Sequence, residues 1–130
     1  MNKIEELITK IAAFNSARGW TPASSDIAKS IVIEAAELLE HFQWDESGKK
    51  IKGMQPKDWK EIEEEVADVF WYLTTFCQSA NIDLAKVVKK KMARNEKKFP
   101  EEKFKGKHND RFYKDQKRKY RLRRKGSSKT

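Results

Sequence analysis

The sequence predicts an all-α fold, a four-helix antiparallel bundle with a basic C-terminal tail. Helix breakers are scarce, with 5 glycines and 3 prolines in 130 residues, while Lys, Glu, Ala and Leu are abundant. Apolar residues recur at steps of three and four in four separate stretches, which is the period of an amphipathic helix. The connections between these stretches are short, and short connections favour antiparallel neighbours.

The first predicted helix covers residues 2–18. Its apolar positions are Ile4, Leu7, Ile8, Ile11 and Phe14. We expect it to end near Gly19, because glycine suits the left-handed conformation of a helix C-cap, and Pro22 prevents continuation.

The second predicted helix runs to about Trp44 and begins at a cap supplied by one of three polar residues, Ser24, Ser25 or Asp26. Its apolar stripe is Ile27, Ile31, Ala35, Leu38 and Phe42. Residues 45–53 are polar and hold two glycines, which predicts a loop.

Pro56 opens the third predicted helix, since proline is tolerated in a first helical turn. Its stripe is Trp59, Ile62, Val66, Val69, Leu73, Phe76 and Ala80. The fourth predicted helix is capped by Asp83 and ends before Phe99. It carries the apolar residues Leu84, Val87, Val88 and Met92.

The net charge of +9 is concentrated at the C-terminus. Residues 103–130 hold 13 of the 29 basic residues and 2 of the 20 acidic ones, a net of +11. We therefore expect a folded domain over residues 1–107 and a basic, flexible tail over residues 108–130. A sharper interpretation makes the tail an electrostatic arm for nucleic acid or another polyanion, although the basic run over residues 117–125 holds one aromatic residue, Tyr120, which is too little for base stacking.

The sequence favours a cytoplasmic protein. No apolar run approaches the length of about 20 residues that spans a bilayer, and the first residues lack the apolar core of a secretory signal. The single cysteine, Cys77, lies in an apolar helical pattern and is expected to be a buried, inert thiol.

Two pairs of acidic residues stand three residues apart on neighbouring helices. Glu34 and Glu37 lie on the second helix, and Glu65 and Asp68 lie on the third. Residues three apart share a helical face, so two packed helices could bring four carboxylates to one point. Magnesium and similar hard cations take oxygen ligands of this kind, although glutamate-rich faces are also common on helices without a metal.

Helical geometry places both pairs beside the apolar stripes. With about 100° per residue, Glu34 falls about 60° from the centre of its stripe and Glu65 about 70° from its own. Glu37 and Asp68 lie further round the same flanks, so the two flanks could line one cleft. The other acidic residues of these segments are expected to be surface charges, namely Glu40, Glu63 and Glu64.

The four tryptophans differ in expected position. Trp59 lies on the core stripe, whereas Trp71 falls on the outer side of the third helix and indicates a subunit contact. Trp20 and Trp44 lie at helix ends near the mouth of the expected cleft, where they either pack or stack on a nucleobase.

Two other function classes agree less well with the sequence. A di-iron carboxylate bundle needs Glu-x-x-His pairs, and neither His41 nor His108 has a glutamate three residues before it. A non-catalytic helical interaction protein, whose basic tail binds nucleic acid, would explain the tail but not the paired carboxylates.

Glu34-x-x-Glu37, followed after 27 residues by Glu65-x-x-Asp68, resembles the all-α nucleoside triphosphate pyrophosphohydrolases of the MazG-like group. The flanking segments 28–44, 67–73 and 95–100 are similar as well, and the resemblance covers about residues 3–105. The closest subgroup is the short dCTP-pyrophosphatase-like proteins.

The resemblance implies a four-helix bundle that forms homodimers or homotetramers. It also implies that the catalytic magnesium ligands, with manganese as an alternative ion, are Glu34, Glu37, Glu65 and Asp68. Tyr72 falls where a tyrosine contacts the nucleotide, Asn95 falls in the phosphate-binding segment with Lys91 and Lys98 nearby, and Trp20 falls near the base pocket.

The implied reaction converts a nucleoside triphosphate and water into a monophosphate and pyrophosphate, as in nucleotide-pool house-cleaning. Two departures from the family pattern concern the site. Many members have a second glutamate where this chain has Ile33, and the dCTP-specific members have a histidine within the loop that here reads Thr21 to Ser24. The preference for dCTP-like pyrimidines therefore stays open, as does the general base, for which Glu34 is one candidate.

Overall fold

The computed structural model describes residues 2–43, 56–106 and 110–127. The helices are α1 (Lys3–Ala17), α2 (Ser24–Glu40), α3 (Pro56–Ser79), α4 (Leu84–Lys98), α5 (Glu101–Phe104) and α6 (Asp110–Ser127). No strand occurs among the described residues, so the predicted all-α class is confirmed. Helices α1 to α4 are the four predicted ones, although α2 ends at Glu40, before the predicted end at Trp44.

Helix α1 is capped at both ends by residues that flank it in the sequence. The Asn2 side chain accepts a hydrogen bond from the Glu5 amide at 2.9 Å, and the Glu5 carboxylate accepts one from the Asn2 amide at 2.9 Å. This capping box satisfies two donors that the first turn leaves free. At the other end, Gly19 has a φ of 65°, as expected of a residue that terminates a helix.

Helix α2 begins without the predicted side-chain cap. Its N-cap is Ala23, which has no capping group, and all three predicted caps lie inside the helix. The Ser24 hydroxyl instead lies 2.6 Å from the Ser79 hydroxyl at the end of α3. The prediction was wrong because Ser24 hydrogen-bonds to a neighbouring helix rather than to its own first turn.

Helices α1, α2 and α3 form the first compact unit, which spans residues 1–84. Helix α3 is its centre, since both α1 and α2 pack on it. The buried apolar residues are Ile11, Ile27, Ile62 and Cys77. Burial raises the pKa of the Cys77 thiol, which agrees with the expected inert cysteine.

A buried polar contact joins α1 to α3. The Asn15 amide donates to the Thr75 hydroxyl at 3.0 Å, and the Trp71 indole nitrogen donates to the Asn15 amide oxygen at 3.3 Å. The Trp71 ring also meets Phe14 edge-on, with centroids 5.0 Å apart. The prediction that Trp71 faces outward was therefore wrong, because this indole has a hydrogen-bond acceptor and an aromatic neighbour on α1.

The second compact unit spans residues 85–130 and contains α5, α6 and nearly all of α4. The expectation of a flexible tail is corrected here, since α6 is a helix with a buried residue, Gln116. Gln116 donates to the Lys98 carbonyl at 2.9 Å, and Tyr113 stacks on Phe99 with centroids 5.0 Å apart. These contacts hold α6 against the end of α4. The domain boundary expected after residue 107 stays a prediction.

The described helices do not include one that combines the length and the apolar character needed to cross a membrane.

Candidate metal centre and adjoining cleft

Three of the four predicted carboxylates meet where α2 packs on α3. Glu34 and Glu37 of α2 and Glu65 of α3 each offer a carboxylate oxygen, and these oxygens all lie within 4.8 Å of one another. All three side chains are partly buried. We call this group the carboxylate cluster.

The carboxylate cluster is electrostatically unfavourable without a cation. Burial, the charge of Glu37 and a hydrogen bond with Glu37 raise the pKa of Glu34 to about 7, and Asp68 and Glu65 add to the effect. Burial, a hydrogen bond with Glu37 and the charges of Glu37 and Asp68 likewise raise the pKa of Glu65. Both shifts mean that a positive charge, from a proton or a metal ion, is favoured at this point.

One oxygen of Glu65 has no hydrogen-bond partner within the part of the chain that the structure describes. Among the described residues, Glu65 Oε2 is buried and accepts no hydrogen bond. Leaving a buried acceptor unsatisfied is costly, especially on a carboxylate. A bound cation would satisfy it, and oxygen-only ligands at this spacing fit a hard divalent ion such as Mg²⁺. The residues present therefore fit the implied metal.

Asp68 stands apart from the carboxylate cluster. It is exposed and does not share the 4.8 Å grouping, but its charge is close enough to raise the pKa of both Glu34 and Glu65. Its role as a metal ligand stays a prediction. The acidic residues expected at the surface, Glu40, Glu63 and Glu64, are exposed.

His41 is a neighbour of the site that sequence reasoning missed. Its Nε2 lies 3.9 Å from Glu65 Oε1, and the two side chains are only 19% and 18% exposed. The positive charge of a protonated His41 opposes the rise in the pKa of Glu65. The sequence spacing could have indicated this contact, since His41 lies four residues after Glu37 and therefore on the same helical face.

A cleft of about 470 Å³ opens beside α3 in the first unit. It is lined by Asn15, Trp20, Thr21, Pro22, Trp71, Tyr72 and Thr75. Two predicted nucleotide contacts, Trp20 and Tyr72, thus meet in one cleft. Sequence reasoning missed Asn15, although a polar residue four positions after Ile11, on an apolar face, was the available signal.

Tyr72 links this cleft to the acidic end of α3. It stands one turn after Asp68 and seven residues after Glu65, or about 10 Å along the helix axis at about 1.5 Å per residue. A single rigid helix therefore carries groups of both the carboxylate cluster and the cleft.

The other predicted contacts lie elsewhere. Trp44 is outside the described residues. Lys91, Asn95 and Lys98 belong to the second unit, where Asn95 lines a shallow cleft of about 280 Å³ with Met92, Glu96 and Phe99. Their phosphate-binding roles stay predictions.

Comparison with known proteins supports the resemblance. The sequence model of the MazG-like family matches residues 29–115. The chain is 29% identical over 100 residues to dCTP pyrophosphatase 1 of Rattus norvegicus and to that of Homo sapiens. Each alignment covers 75% of this chain, and the chain spans only 59% of the length of these relatives.

A solved structure is similar over a larger share of its length. A pyrophosphatase from Archaeoglobus fulgidus is 40% identical with a TM-score of 0.66, and the match covers 77% of this chain and 94% of that one. The family match includes all three residues of the carboxylate cluster, and the fold agrees over most of the chain. On this sequence and structural agreement, the protein belongs to the MazG-like family.

Proposed function

We propose that this protein is a nucleoside triphosphate pyrophosphohydrolase that depends on a divalent cation. The observation that carries the proposal is the carboxylate cluster, in which three glutamates converge and one buried oxygen of Glu65 has no partner among the described residues. The names of the relatives, dCTP pyrophosphatase 1 and a pyrophosphatase, support the same reaction class.

The proposed metal ligands are Glu34, Glu37 and Glu65, with Asp68 as the fourth. When bound, Mg²⁺ or the alternative Mn²⁺ neutralises charge on the triphosphate and lowers the pKa of a coordinated water. The protein contributes the geometry of the site, because the packing of α2 on α3 holds oxygens of the three glutamates within 4.8 Å of one another.

The reaction transfers the nucleotidyl group to water. A bond forms between the water oxygen and the α-phosphorus, and the bond from the α-phosphorus to the oxygen bridging to the β-phosphate breaks. Pyrophosphate leaves, and the water proton must pass to a base. We place Glu34 in this role because, of the four carboxylates, it lies nearest the apolar stripe of its helix. Glu37 and Glu65 are the competing candidates.

The cleft beside α3 is the proposed nucleobase site. Trp20 and Tyr72 supply aromatic surface, and Asn15 and Thr75 supply polar groups whose positions are fixed by their mutual hydrogen bond. Thr21 and Pro22 line the cleft where dCTP-specific relatives are expected to have a histidine. A preference for dCTP-like pyrimidines is therefore proposed on the resemblance alone, as are Lys91, Asn95 and Lys98 as phosphate contacts.

A homodimer or homotetramer is proposed from the exposed apolar residues of the first unit. Val32 and Leu39 stand seven residues apart on one face of α2, and each is 68% exposed. Val66 on α3 is 53% exposed. Exposed apolar residues of this size on neighbouring helices are typical of a subunit interface. House-cleaning of the nucleotide pool and a cytoplasmic location stay predictions.

Phosphorus NMR of the reaction products tests the proposal. The purified protein would be incubated with dCTP, dTTP, dATP or dGTP and Mg²⁺, with EDTA as the control. We expect a monophosphate and pyrophosphate in equal amounts, and no product in EDTA. A diphosphate with free phosphate, or full turnover in EDTA, would contradict the assignment. Absence of turnover on a broad nucleotide panel with Mg²⁺ or Mn²⁺ would favour the non-catalytic alternative.

A further inference from the structure

Helix α6 is an ordered element with two very different faces. It has 18 residues, of which 9 are Lys or Arg and 2 are Asp. One face packs within the second unit through buried Gln116 and through Phe112, whose ring lies edge-on to Phe104 with centroids 4.8 Å apart. The charge is therefore displayed on a fixed scaffold rather than on a mobile chain.

Basic residues form a straight row on the opposite face. The row consists of Arg111, Lys114, Arg118, Arg121 and Lys125, which follow one another at steps of three and four and are all exposed. At about 100° per residue, the centre of this row lies about 180° from Gln116. The row is about 21 Å long, since it spans fourteen residues at about 1.5 Å each. We call it the basic row.

Several cations crowd together around the basic row. Burial and the nearby cations Lys117, Lys91, Arg121 and Arg124 lower the pKa of Lys98. Arg118 has an acidic neighbour in Asp115, but the pair is 4.0 Å apart and highly exposed, so its attraction is weak. An incoming polyanion would relieve the like-charge repulsion that these groups exert on one another.

We propose that the basic row binds the phosphate backbone of double-stranded DNA without reading its sequence. A row of cations on a rigid helix is complementary to a row of phosphates, and such contacts carry affinity but little sequence information. B-form DNA suits this element better than duplex RNA, because a helix can approach the phosphates that border its major groove, which is about 12 Å wide, whereas the major groove of RNA is narrow.

Two other polyanions fit the surface less well. An amphipathic helix binds a membrane by burying its apolar face, but the apolar face of α6 is packed against Phe99 and Phe104. Single-stranded nucleic acid is held by aromatic stacking, and the basic row contains no aromatic residue. The proposal concerns the second unit alone and does not rest on the pyrophosphohydrolase reaction.

Fluorescence anisotropy with a labelled DNA duplex at several salt concentrations tests the proposal. The full chain is compared with two double variants on the same helix, each losing one Lys and one Arg. Lys114→Gln with Arg121→Gln removes charge from the basic row, and Lys119→Gln with Arg123→Gln removes it elsewhere. Because the two variants have equal net charge, they separate a defined surface from bulk basicity. Thermal melting confirms that both are folded.

We expect the affinity of the wild-type protein to fall with salt and to be the same for duplexes of unrelated sequence. Removing two contacts from the basic row should lower the magnitude of the log–log salt slope by about 2, since each neutralised phosphate contributes about 0.9. The matched control should change the slope by less than half of that. Equal losses in both variants, unchanged binding in both, or tighter binding to single strands, duplex RNA or anionic vesicles would overturn the proposal.

Discussion

At the scale of single residues, the carboxylate cluster lowers the stability of the folded, metal-free chain. Glu34, Glu37 and Glu65 converge although their charges repel, and Glu65 Oε2 is left without a partner among the described residues. Like charges at this distance repel one another and cost free energy in the metal-free state. Such a cost is typical of a functional site rather than of a packing device.

The raised pKa values predict how the metal-free protein responds to pH. The pKa of Glu34 is raised from 4.5 to about 7 and that of Glu65 is also raised, so the folded chain binds protons more tightly than the unfolded chain. Stability that is present below about pH 4.5 is therefore lost as pH rises towards about 7. We expect the Tm in EDTA to fall by a few degrees across this window.

Other groups also titrate between about pH 4.5 and 7, so the contribution of Glu34 must be isolated with the variant Glu34→Gln. Melting of the wild type and of Glu34→Gln would be measured in EDTA at steps from pH 4.5 to 7.5. The variant should lose less stability with rising pH than the wild type. Parallel profiles for the two proteins would show that Glu34 ionises normally.

The Asn15–Thr75 contact predicts a stability cost at the nucleobase cleft. Thr75 accepts a hydrogen bond from Asn15 and donates to the Trp71 carbonyl at 2.8 Å. Thr75→Val keeps the shape but leaves the buried Asn15 amide without this acceptor. We expect a loss of about 1–3 kcal/mol in urea unfolding, the usual cost of a buried unsatisfied group.

Thr9→Val is the matched control for Thr75→Val. Its hydroxyl makes the same type of bond to the carbonyl four residues earlier, Glu5, but on an exposed face. It should change stability by less than about 0.5 kcal/mol. Similar losses in both variants would mean that the cost comes from helix propensity rather than from the buried contact.

At the scale of the elements, α6 shows where sequence reasoning failed. Its apolar residues Phe112, Tyr113 and Tyr120 follow the helical period together with Gln116, but nine basic residues within the helix obscure the pattern. A solvated tail and a basic helix with one packed face have nearly the same composition. Only the partner surface, formed by Phe99 and Phe104, distinguishes them, and it lies outside the segment itself.

Packing of α6 predicts different outcomes for two apolar residues on the same helix. Phe112 contacts Phe104, whereas Leu122 is 61% exposed. Phe112→Ala should destabilise the second unit by about 2 kcal/mol, through lost burial and a lost aromatic pair. The loss of stability can be measured locally by hydrogen exchange, and the exchange of amides near the end of α4 should accelerate.

Leu122→Ala is the control and should leave this exchange unchanged, because little apolar surface is lost there. Unchanged exchange in both variants would mean that α6 does not pack on the end of α4. The C-terminal segment would then agree with the flexible tail that the sequence predicted.

At the scale of the whole molecule, the sequence predicted the four main helices and the convergence of four carboxylates, of which the structure groups three. Periodicity and spacing are properties of a single segment, so they can be recognised without knowing which surface the segment packs against. The prediction for the apolar stripe of α3 was less accurate. Val66 and Leu73 were expected in the core, but they are 53% and 38% exposed. Periodicity marks apolar faces but does not say whether they pack within one chain or between chains.

The exposed apolar residues predict self-association. Leu39→Glu places a charge in the proposed subunit interface on α2, where Leu39 is 68% exposed. Light scattering should show a dimer or tetramer for the wild type and a smaller species for the variant, since burying an unpaired charge is costly. Leu122→Glu on α6 is the control and should keep the wild-type mass. A monomeric wild type at micromolar concentration with full activity would contradict the interface.

The central claim is that the carboxylate cluster holds the catalytic cation, and pyrophosphate release with saturating Mg²⁺ tests it most directly in three proteins. Glu37→Gln removes one ligand at nearly constant size and should lower turnover by about a hundredfold or more, because metal-assisted charge stabilisation contributes several kcal/mol. Glu40→Gln changes an exposed glutamate three residues away and should keep turnover within about twofold of the wild type. The account would be contradicted if Glu37→Gln kept its turnover while its metal-free form melted well below the wild type, since the cluster would then be structural.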